Sequence, residues 1–239
     1  MRIDCGLEFT LVSPAAPRDA TAFEVREALG EPGCAVCRLS LRSVSRMINS
    51  MAYEQVNDLD LRQQLRRAGG FCNPHAFQWL REARSVLGTA LIYRDVLKAA
   101  LDAIEASGPA NGQRSRLLRG LLGDRQSDAR CPACQAQNEA EVRYLDALLA
   151  VLAADAAALS DSEGLCRRHT QVAARSGREG SVLIIRRTRE VVAQMLSDLD
   201  EVIRKEDYRF RHEPRSEAER SAPARAIAWA AGADGLTED

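Results

Sequence analysis

Two copies of one cysteine–histidine pattern constrain the fold of this 239-residue chain more than any other feature. The first copy has CAVC at residues 34–37 and CNPH at 72–75, and the second has CPAC at 131–134 and CRRH at 166–169. The two CxxC motifs start 97 residues apart, and in both copies a glycine and an apolar residue precede the third cysteine. The pattern uses six of the seven cysteines and two of the three histidines, so it predicts an internal duplication.

The motif spacing is typical of metal ligands. Two cysteines at positions i and i+3 of a helix start can face one ion, and the helix N-terminus favours their thiolate form. A CxxH motif supplies a third thiolate and an imidazole, which completes a closed tetrahedral zinc site. We therefore predict two zinc ions per chain, held by Cys34, Cys37, Cys72, His75, Cys131, Cys134, Cys166 and His169.

The spacing alone leaves the pairing of the motifs open. Pairing within each copy is the simplest expectation, which would give Cys34 and Cys37 the ligands Cys72 and His75. A swapped arrangement, in which each CxxC meets the CxxH of the other copy, is also compatible with a pseudo-twofold bundle.

Other readings of the cysteines compete with zinc. Thiolates also bind iron–sulfur clusters, and a CxxC pair can act as a redox dithiol. The redox dithiol explains neither the CxxH motifs nor the duplication, and two copies in register argue against cysteines that are only buried apolar residues. Covalent haem attachment is excluded because Arg38 and Gln135, not histidines, follow the two CxxC motifs.

The segments between the motifs are helical by periodicity. Apolar residues recur at steps of three and four after each CxxC and after each CxxH, so each CxxH motif is expected to open one long helix. Aromatic residues make up only 5% of the chain, which also favours helices over sheets. The predicted fold is all-α, a helical bundle built from two repeated helical metal-binding units. Its proposed stripes are Val44, Ile48 and Met51; Val86, Ala90, Tyr93, Leu97, Leu101 and Ile104; Val142, Leu145, Leu149 and Leu152; and Ile184, Val191, Met195, Leu199 and Val202.

Composition changes along the chain suggest four parts. We predict an N-terminal extension at 1–20, a first unit at 21–106, a second unit at 113–204 and a charged C-terminal segment at 205–239. The Gly- and Pro-containing stretch at 107–112 marks the break between the units. Short helices are expected before each CxxC. The first follows a capping box that starts at Thr21 and leads into 25–29, and the second lies at 116–122; another short helix is expected near 223–231.

Charge and hydropathy restrict the partners and the cellular location that we expect for this protein. The net charge is −1 at pH 7, so no overall field attracts nucleic acid, which makes that partner unlikely. No signal-like segment and no run of about 18 apolar residues occurs, so we expect a cytoplasmic protein with reduced thiols and no membrane partner. Cys5 has no motif partner and is read as an incidental thiol.

With both ligand sets in view, the chain resembles an uncharacterised family of bacterial and archaeal helical proteins. Members carry paired CPxC…GxCxxH motifs and a charged YRxxxE segment near the C-terminus. Matching stretches here are CPAC at 131–134, GFCNPH at 70–75, GLCRRH at 164–169 and YRFRHEPR at 208–215, and the likeness spans about 22–235. Ala35 stands where proline is usual in the first CxxC. The resemblance implies metal binding and implies no activity.

The charged C-terminal segment is a second candidate site. Its functional interpretation is anion or partner binding through Arg209, Arg211, His212, Glu213 and Arg215, and the alternative is a solvated linker. Tyr208 and Phe210 interleave with the arginines, a pattern also compatible with single-stranded nucleic acid.

Three classes of function follow from these patterns. The favoured one is a non-enzymatic zinc protein with structural sites that binds another protein or a small ligand, because closed sites leave no position for substrate. A redox- or metal-sensing protein is the first alternative, with a zinc–thiolate switch or an iron–sulfur cluster. An enzyme or nucleic-acid binder that uses the C-terminal segment is the second. Exposed apolar stripes are compatible with a homo-oligomer.

Overall fold

The computed structural model describes residues 20–106 and 130–237. These residues form nine α-helices and no strand, which confirms the all-α prediction. The helices are α1 (Ala20–Leu29), α2 (Ala35–Ser50), α3 (Leu59–Ala68), α4 (Asn73–Glu82), α5 (Val86–Ala106), α6 (Pro132–Ala154), α7 (Arg167–Arg175), α8 (Glu179–Glu206) and α9 (Glu217–Ala231). A π-helical turn at Met51–Gln55 extends α2, and a 3₁₀ turn at Ala156–Leu159 follows α6.

Helices α2 and α6 form the central pair of the bundle and begin at the two CxxC motifs. Around them lies the larger apolar cluster, which draws on α1, α2, α6, α7 and α8. Leu39, Leu148 and Ile184 lie in it and are essentially inaccessible to solvent. Residues of both predicted units therefore share one core, and the predicted boundary between the units falls outside the described residues.

A second apolar cluster lies where the later part of α2 meets α3, α4 and α5. Trp79 is fully buried in it, stacks on Phe71 with ring centroids 5.4 Å apart, and donates from Nε1 to Thr89 Oγ1 at 3.0 Å. Ala133, at the start of α6, also belongs to this cluster, so the second repeat contributes to it too.

Each CxxH motif was expected to open one long helix, and this detail is wrong. The motifs open the short helices α4 and α7, and separate long helices α5 and α8 follow. Arg84 separates α4 from α5 and Gly177 separates α7 from α8. Both residues have positive φ angles, and the left-handed conformation cannot continue an α-helix.

The predicted apolar stripe of α5 is not a core stripe. Val86, Ala90, Leu97, Leu101 and Ile104 are exposed and Tyr93 is half-buried, whereas Ile92 is a large apolar residue that this helix does bury. The orientation is set partly by an ion pair, in which Arg62 on α3 lies 2.5 Å from Asp95. Apolar periodicity therefore predicted the helix correctly but predicted the wrong face of it to be buried.

The C-terminal helix α9 starts earlier than the predicted 223–231. Ser216 caps it through a reciprocal capping box with Glu219, and the helix continues through Pro223. Glu219 also forms an ion pair with Lys205 at the end of α8, with nitrogen–oxygen distances of 2.7 and 2.8 Å. Lys205 is buried and Glu219 is half-buried. These contacts fix α9 against α8.

Some expectations concern residues outside the described part. Cys5, the N-terminal extension up to residue 19, the break at 107–112 and the expected helix at 116–122 all lie there. Helix α1 begins at Ala20, so Thr21 lies inside the first turn instead of capping the helix. Within the described ranges, no helix is both long enough and apolar enough to cross a membrane.

Candidate metal centres

All four cysteine motifs have the same local geometry. Cys34, Cys72, Cys131 and Cys166 each occupy the N-cap position of a helix with an extended or near-extended backbone, and none uses its sulfur to cap the helix. The second ligand of each motif, three residues later, lies in the first turn. Both side chains therefore project from the same helix N-terminus, as the i, i+3 spacing predicts.

The structure brings the eight predicted ligands into two groups of four. The first centre consists of Cys34 and Cys37 with Cys166 and His169. The second centre consists of Cys131 and Cys134 with Cys72 and His75. In each group the four ligand atoms lie within 4.8 Å of one another.

The expectation that each repeat completes its own ligand set is therefore wrong. Each CxxC meets the CxxH of the other repeat, the arrangement that a pseudo-twofold bundle allows. The physical reason is the central pairing of α2 with α6, which places the start of α7 beside α2 and the start of α4 beside α6. Sequence spacing could not reveal this, because it carries no information on how the repeats pack.

Distances in the first centre suit a single ion. The Nδ1 atom of His169 lies 3.2 to 3.5 Å from the sulfurs of Cys166, Cys37 and Cys34. The sulfurs of Cys37 and Cys166 are 3.6 Å apart, well beyond the disulfide bond length of about 2.05 Å.

The second centre repeats this geometry. Nδ1 of His75 lies 3.2 Å from the Cys72 sulfur, 3.4 Å from Cys134 and 3.8 Å from Cys131. The sulfurs of Cys72 and Cys134 are 3.5 Å apart. Tetrahedral zinc, with zinc–sulfur bonds of about 2.3 Å and zinc–nitrogen bonds of about 2.0 Å, requires edges of about 3.8 and 3.5 Å. Both groups of atoms fit around such an ion.

The close thiols of the first centre need a cation to ionise together. Contacts with Cys34 and Cys37 hold the pKa of the Cys166 thiol well below its usual range, and the neighbouring Cys166 in turn raises the pKa of Cys37. Burial lowers the pKa of His169, but Cys166 and Cys34 outweigh burial and raise that pKa to about 11. Three thiols this close cannot all ionise without a positive partner, so a bound dication would satisfy the whole set.

In the second centre the pKa values of neighbouring thiols are again shifted in opposite directions, and the pKa of the histidine is raised less than in the first centre. Contacts with Cys134 and Cys72 lower the pKa of Cys131, and the neighbouring Cys131 raises the pKa of Cys134. Burial lowers the pKa of His75, yet the contacts with Cys131 and Cys72 raise it to about 9. Three of the four ligands here are half-buried, whereas three of the four are fully buried in the first centre.

A buried polar pair on α6 supports the first centre. Glu141 Oε2 lies 3.4 Å from Nε2 of His169, and Arg168 lies 2.9 Å from the same carboxylate oxygen. Gln137, one turn earlier and fully buried, donates from Nε2 to Glu141 Oε1 at 2.9 Å. A carboxylate behind a histidine fixes the ring orientation and raises its strength as a ligand.

The C-terminal tail links this pair to the second centre. The Thr237 backbone nitrogen donates to Gln137 Oε1 at 3.2 Å, and Gln137 donates back to the Thr237 carbonyl at 3.0 Å. The Thr237 hydroxyl lies 3.7 Å from the sulfur of Cys134. A chain of polar contacts therefore runs from a ligand of one centre to a ligand of the other through Thr237, Gln137 and Glu141.

Sequence reasoning missed these supporting residues. A signal was present for two of them, because Gln137 and Glu141 are polar residues at helical spacing on the face that also carries Leu145 and Leu148. A polar pair within an apolar stripe indicates a buried hydrogen-bonded partner. Thr237 gave no such signal, since its role depends on where the tail packs.

The glycines of the GxC motifs have a conformational role. Gly70 and Gly164 both have positive φ, 101° and 73°, in the turn that precedes the third cysteine. A Cβ atom on Gly164 would lie 3.0 Å from Thr188 Oγ1 and 3.2 Å from Thr188 Cα, so a side chain would collide with α8. The glycine therefore sets the approach of α7 to the first centre.

The residues predicted for the C-terminal site are largely paired within the chain. Arg209 bonds Asp207 at 2.8 Å, Arg215 bonds Glu206 at 2.5 Å, and Glu213 pairs with Arg204. Arg211 and His212 are exposed on the same segment. The structure places these five residues on a surface turn between α8 and α9 and away from the two cysteine centres.

Comparisons with known proteins add one partial likeness. No family model and no solved structure matches the chain. The "Uncharacterized 23.9 kDa protein in xynA 3'region" of Caldicellulosiruptor sp. (strain Rt8B.4) is 39% identical over 69 residues. The match covers 29% of this chain and 33% of that protein. The similarity therefore spans about a third of the relative and identifies no activity.

Proposed function

We propose that this chain is a zinc protein whose two closed centres hold its two repeats together. The observation that carries the proposal is the convergence of three sulfurs and one Nδ1 atom, twice, at the separations that a tetrahedral ion requires. All four positions around each ion are filled by protein atoms. Such closed centres are structural, so we propose a non-enzymatic role with interaction or ligand binding as the activity of the fold.

Zinc is favoured over an iron–sulfur cluster by the size of the centres. A cluster places several metal and sulfide atoms between its ligands and therefore needs ligand sulfurs that are farther apart than those around one ion. The ligand sulfurs of Cys37 and Cys166 are only 3.6 Å apart. A mixed set of thiolates and imidazole suits a single zinc ion.

The crossed pairing gives the metal an architectural role. Each centre joins the start of one central helix to a short helix of the other repeat, so each ion ties together segments that are more than 50 residues apart in sequence. Structural zinc can supply on the order of 10 kcal/mol of folding free energy. A typical domain has a net stability of about 5–15 kcal/mol, so we expect the bundle to depend on its metal.

Metal analysis of the purified full chain tests this proposal. We expect about two zinc ions per chain and no visible absorption band. Removing the ions with a strong chelator at neutral pH should abolish cooperative thermal unfolding, and adding zinc back should restore it. A chain that contains no metal and unfolds at the same temperature with and without chelator would contradict the proposal.

A thiol switch at the second centre is the second candidate function. The specific observation is burial, because Cys72, Cys131 and Cys134 are all half-buried, whereas Cys37 and Cys166 of the first centre are fully buried. Oxidants attack accessible thiolates first. Under this function, mild peroxide should release one ion per chain well before the other, and a reductant with added zinc should reverse the release.

Three further parts of the proposal rest on sequence patterns. The motif likeness to helical proteins with duplicated CPxC…GxCxxH motifs supports membership of that family. Reduced thiol ligands suit the cytoplasm. A nucleic-acid or enzymatic role for the C-terminal segment is the least supported function, because Arg209, Glu213 and Arg215 already have ion-pair partners.

A further inference from the structure

Helix α8 carries a second apolar stripe that residues 20–106 and 130–237 leave largely exposed. On a face beside the one that packs into the core, apolar residues follow a heptad-like spacing through most of the 28-residue helix. Four of them are exposed, namely Val182 at 68%, Ile185 at 43%, Leu196 at 58% and Ile203 at 69%. Val192 and Leu199 lie between them at the same spacing and are half-buried.

The core of the protein does not need this stripe. Helix α8 already packs into the bundle through Ser181, Ile184, Thr188 and Met195, which are buried on the neighbouring face. Scattered exposed apolar residues are normal on protein surfaces, but a seam along about 30 Å of helix, interrupted only at Arg189, is typical of a helix–helix interface. The regular sevenfold spacing indicates that the partner is itself an α-helix.

The charges beside the seam are self-complementary. Arg186 and Asp200 are exposed on the same flank, and neither forms an ion pair within residues 20–106 and 130–237. They lie seven residues before and seven residues after Ala193. A twofold axis at Ala193, perpendicular to the helix, would therefore place Arg186 of one copy beside Asp200 of the other, twice.

We propose that the outward face of α8 is a homodimer interface in which two copies of the chain pair their α8 helices antiparallel. A twofold axis at Gln194, one residue from Ala193, brings Ile185 level with Ile203 of the second copy and Val192 level with Leu196. Arg186 then stays within side-chain reach of Asp200 of the second copy. Arg189, which interrupts the seam, then lies within reach of Asp200 of the second copy. A surface that complements itself under one twofold rotation selects a second copy over an unrelated helix. The interface is independent of the metal ions.

Light scattering coupled to size-exclusion chromatography of the zinc-loaded full chain tests the interface. The expected mass is twice the 26.2 kDa of one chain, with dissociation on dilution. Leu196→Glu should weaken the dimer about 100-fold, because the charge enters the seam from both copies near the axis. The matched control is Leu101→Glu on α5, a similarly exposed leucine that should leave the mass unchanged.

Charge exchange tests the antiparallel register. Arg186→Glu and Asp200→Arg should each weaken the dimer roughly 5- to 10-fold, and the double variant should regain the original affinity. A chain that is monomeric at every concentration would overturn the proposal, as would a dimer that Leu196→Glu leaves intact or that Leu101→Glu also dissociates. Loss of the dimer in both single variants without rescue in the double variant would overturn the antiparallel pairing.

Discussion

The Nε2 atom of His169 lies 3.4 Å from a carboxylate oxygen of Glu141, and this contact distinguishes the two centres. Neither this Nε2 atom nor the buried Nε2 atom of His75, the equivalent ligand of the second centre, has a hydrogen-bond partner in the described residues, and His75 has no carboxylate at ion-pair distance there. At the 97-residue repeat, the position that corresponds to Glu141 is Val44, which is buried and apolar. The duplicated ligand sets therefore have unequal support.

Glu141→Gln should separate the metal affinities of the two centres further. Loss of the carboxylate behind His169 should weaken metal binding at the first centre by about 10-fold and leave the second centre unchanged. A chelator competition that resolves two binding steps measures both affinities. Glu139→Gln is the matched control, since the Glu139 side chain is exposed and accepts a hydrogen bond from Gln135 on the same outer face of α6. Equal weakening of both steps would refute a local role for Glu141.

Paired cysteine substitutions should report the crossed pairing directly. Cys34→Ser with Cys166→Ser removes two ligands from one centre, so this variant should keep about one ion per chain. Cys34→Ser with Cys72→Ser removes one ligand from each centre, so both ions should be weakened and lost to a moderate chelator. Metal content after such treatment distinguishes the variants. Pairing within the repeats would reverse the two results.

Much of this architecture could be predicted from the sequence because it is local. The four helix starts at Cys34, Cys72, Cys131 and Cys166 follow from i, i+3 ligand spacing, and apolar periodicity marks the long helices. Ligand identity is likewise a property of short motifs. The domain boundaries stay predictions.

What could not be predicted depends on packing between distant segments. The crossing of the ligand sets follows from the contact of α2 with α6, and the face of α5 that is buried follows from its packing against α3, which includes the Arg62–Asp95 ion pair. Neither contact has a signature in one sequence. The tail position of Thr237 beside Cys134 is another long-range contact that no local pattern encodes.

Gly164→Ala should destabilise the protein more than Gly177→Ala. Both glycines have positive φ, so alanine costs about 1 kcal/mol of backbone strain at either site. Only Gly164 has a close neighbour, Thr188, whereas nothing lies within 4 Å of a Cβ on Gly177. We expect Gly164→Ala to lower the free energy of unfolding by about 2–3 kcal/mol in total, measured by urea denaturation of zinc-loaded protein. Equal losses would mean that Thr188 yields without cost.

The ion pair between Glu219 and Lys205 should make the docking of α9 pH-dependent. The Lys205 ammonium holds the pKa of Glu219 below its usual value near 4.5. A carboxyl whose pKa is lowered by folding stabilises the folded state above its unfolded pKa, and this contribution disappears as pH falls through the folded pKa. Glu219→Gln should therefore reduce stability at pH 7, because Lys205 stays buried without its partner.

The difference in stability between Glu219→Gln and the unmodified chain should shrink as pH falls below about 4.5. Urea denaturation of both proteins at matched pH values measures this difference, and acid release of metal affects both proteins alike. Glu217→Gln, on the same first turn of α9 and exposed, is the control and should change little at any pH. A gap between Glu219→Gln and the unmodified chain that stays constant through this pH range would show that the glutamate acts by its shape and not by its charge.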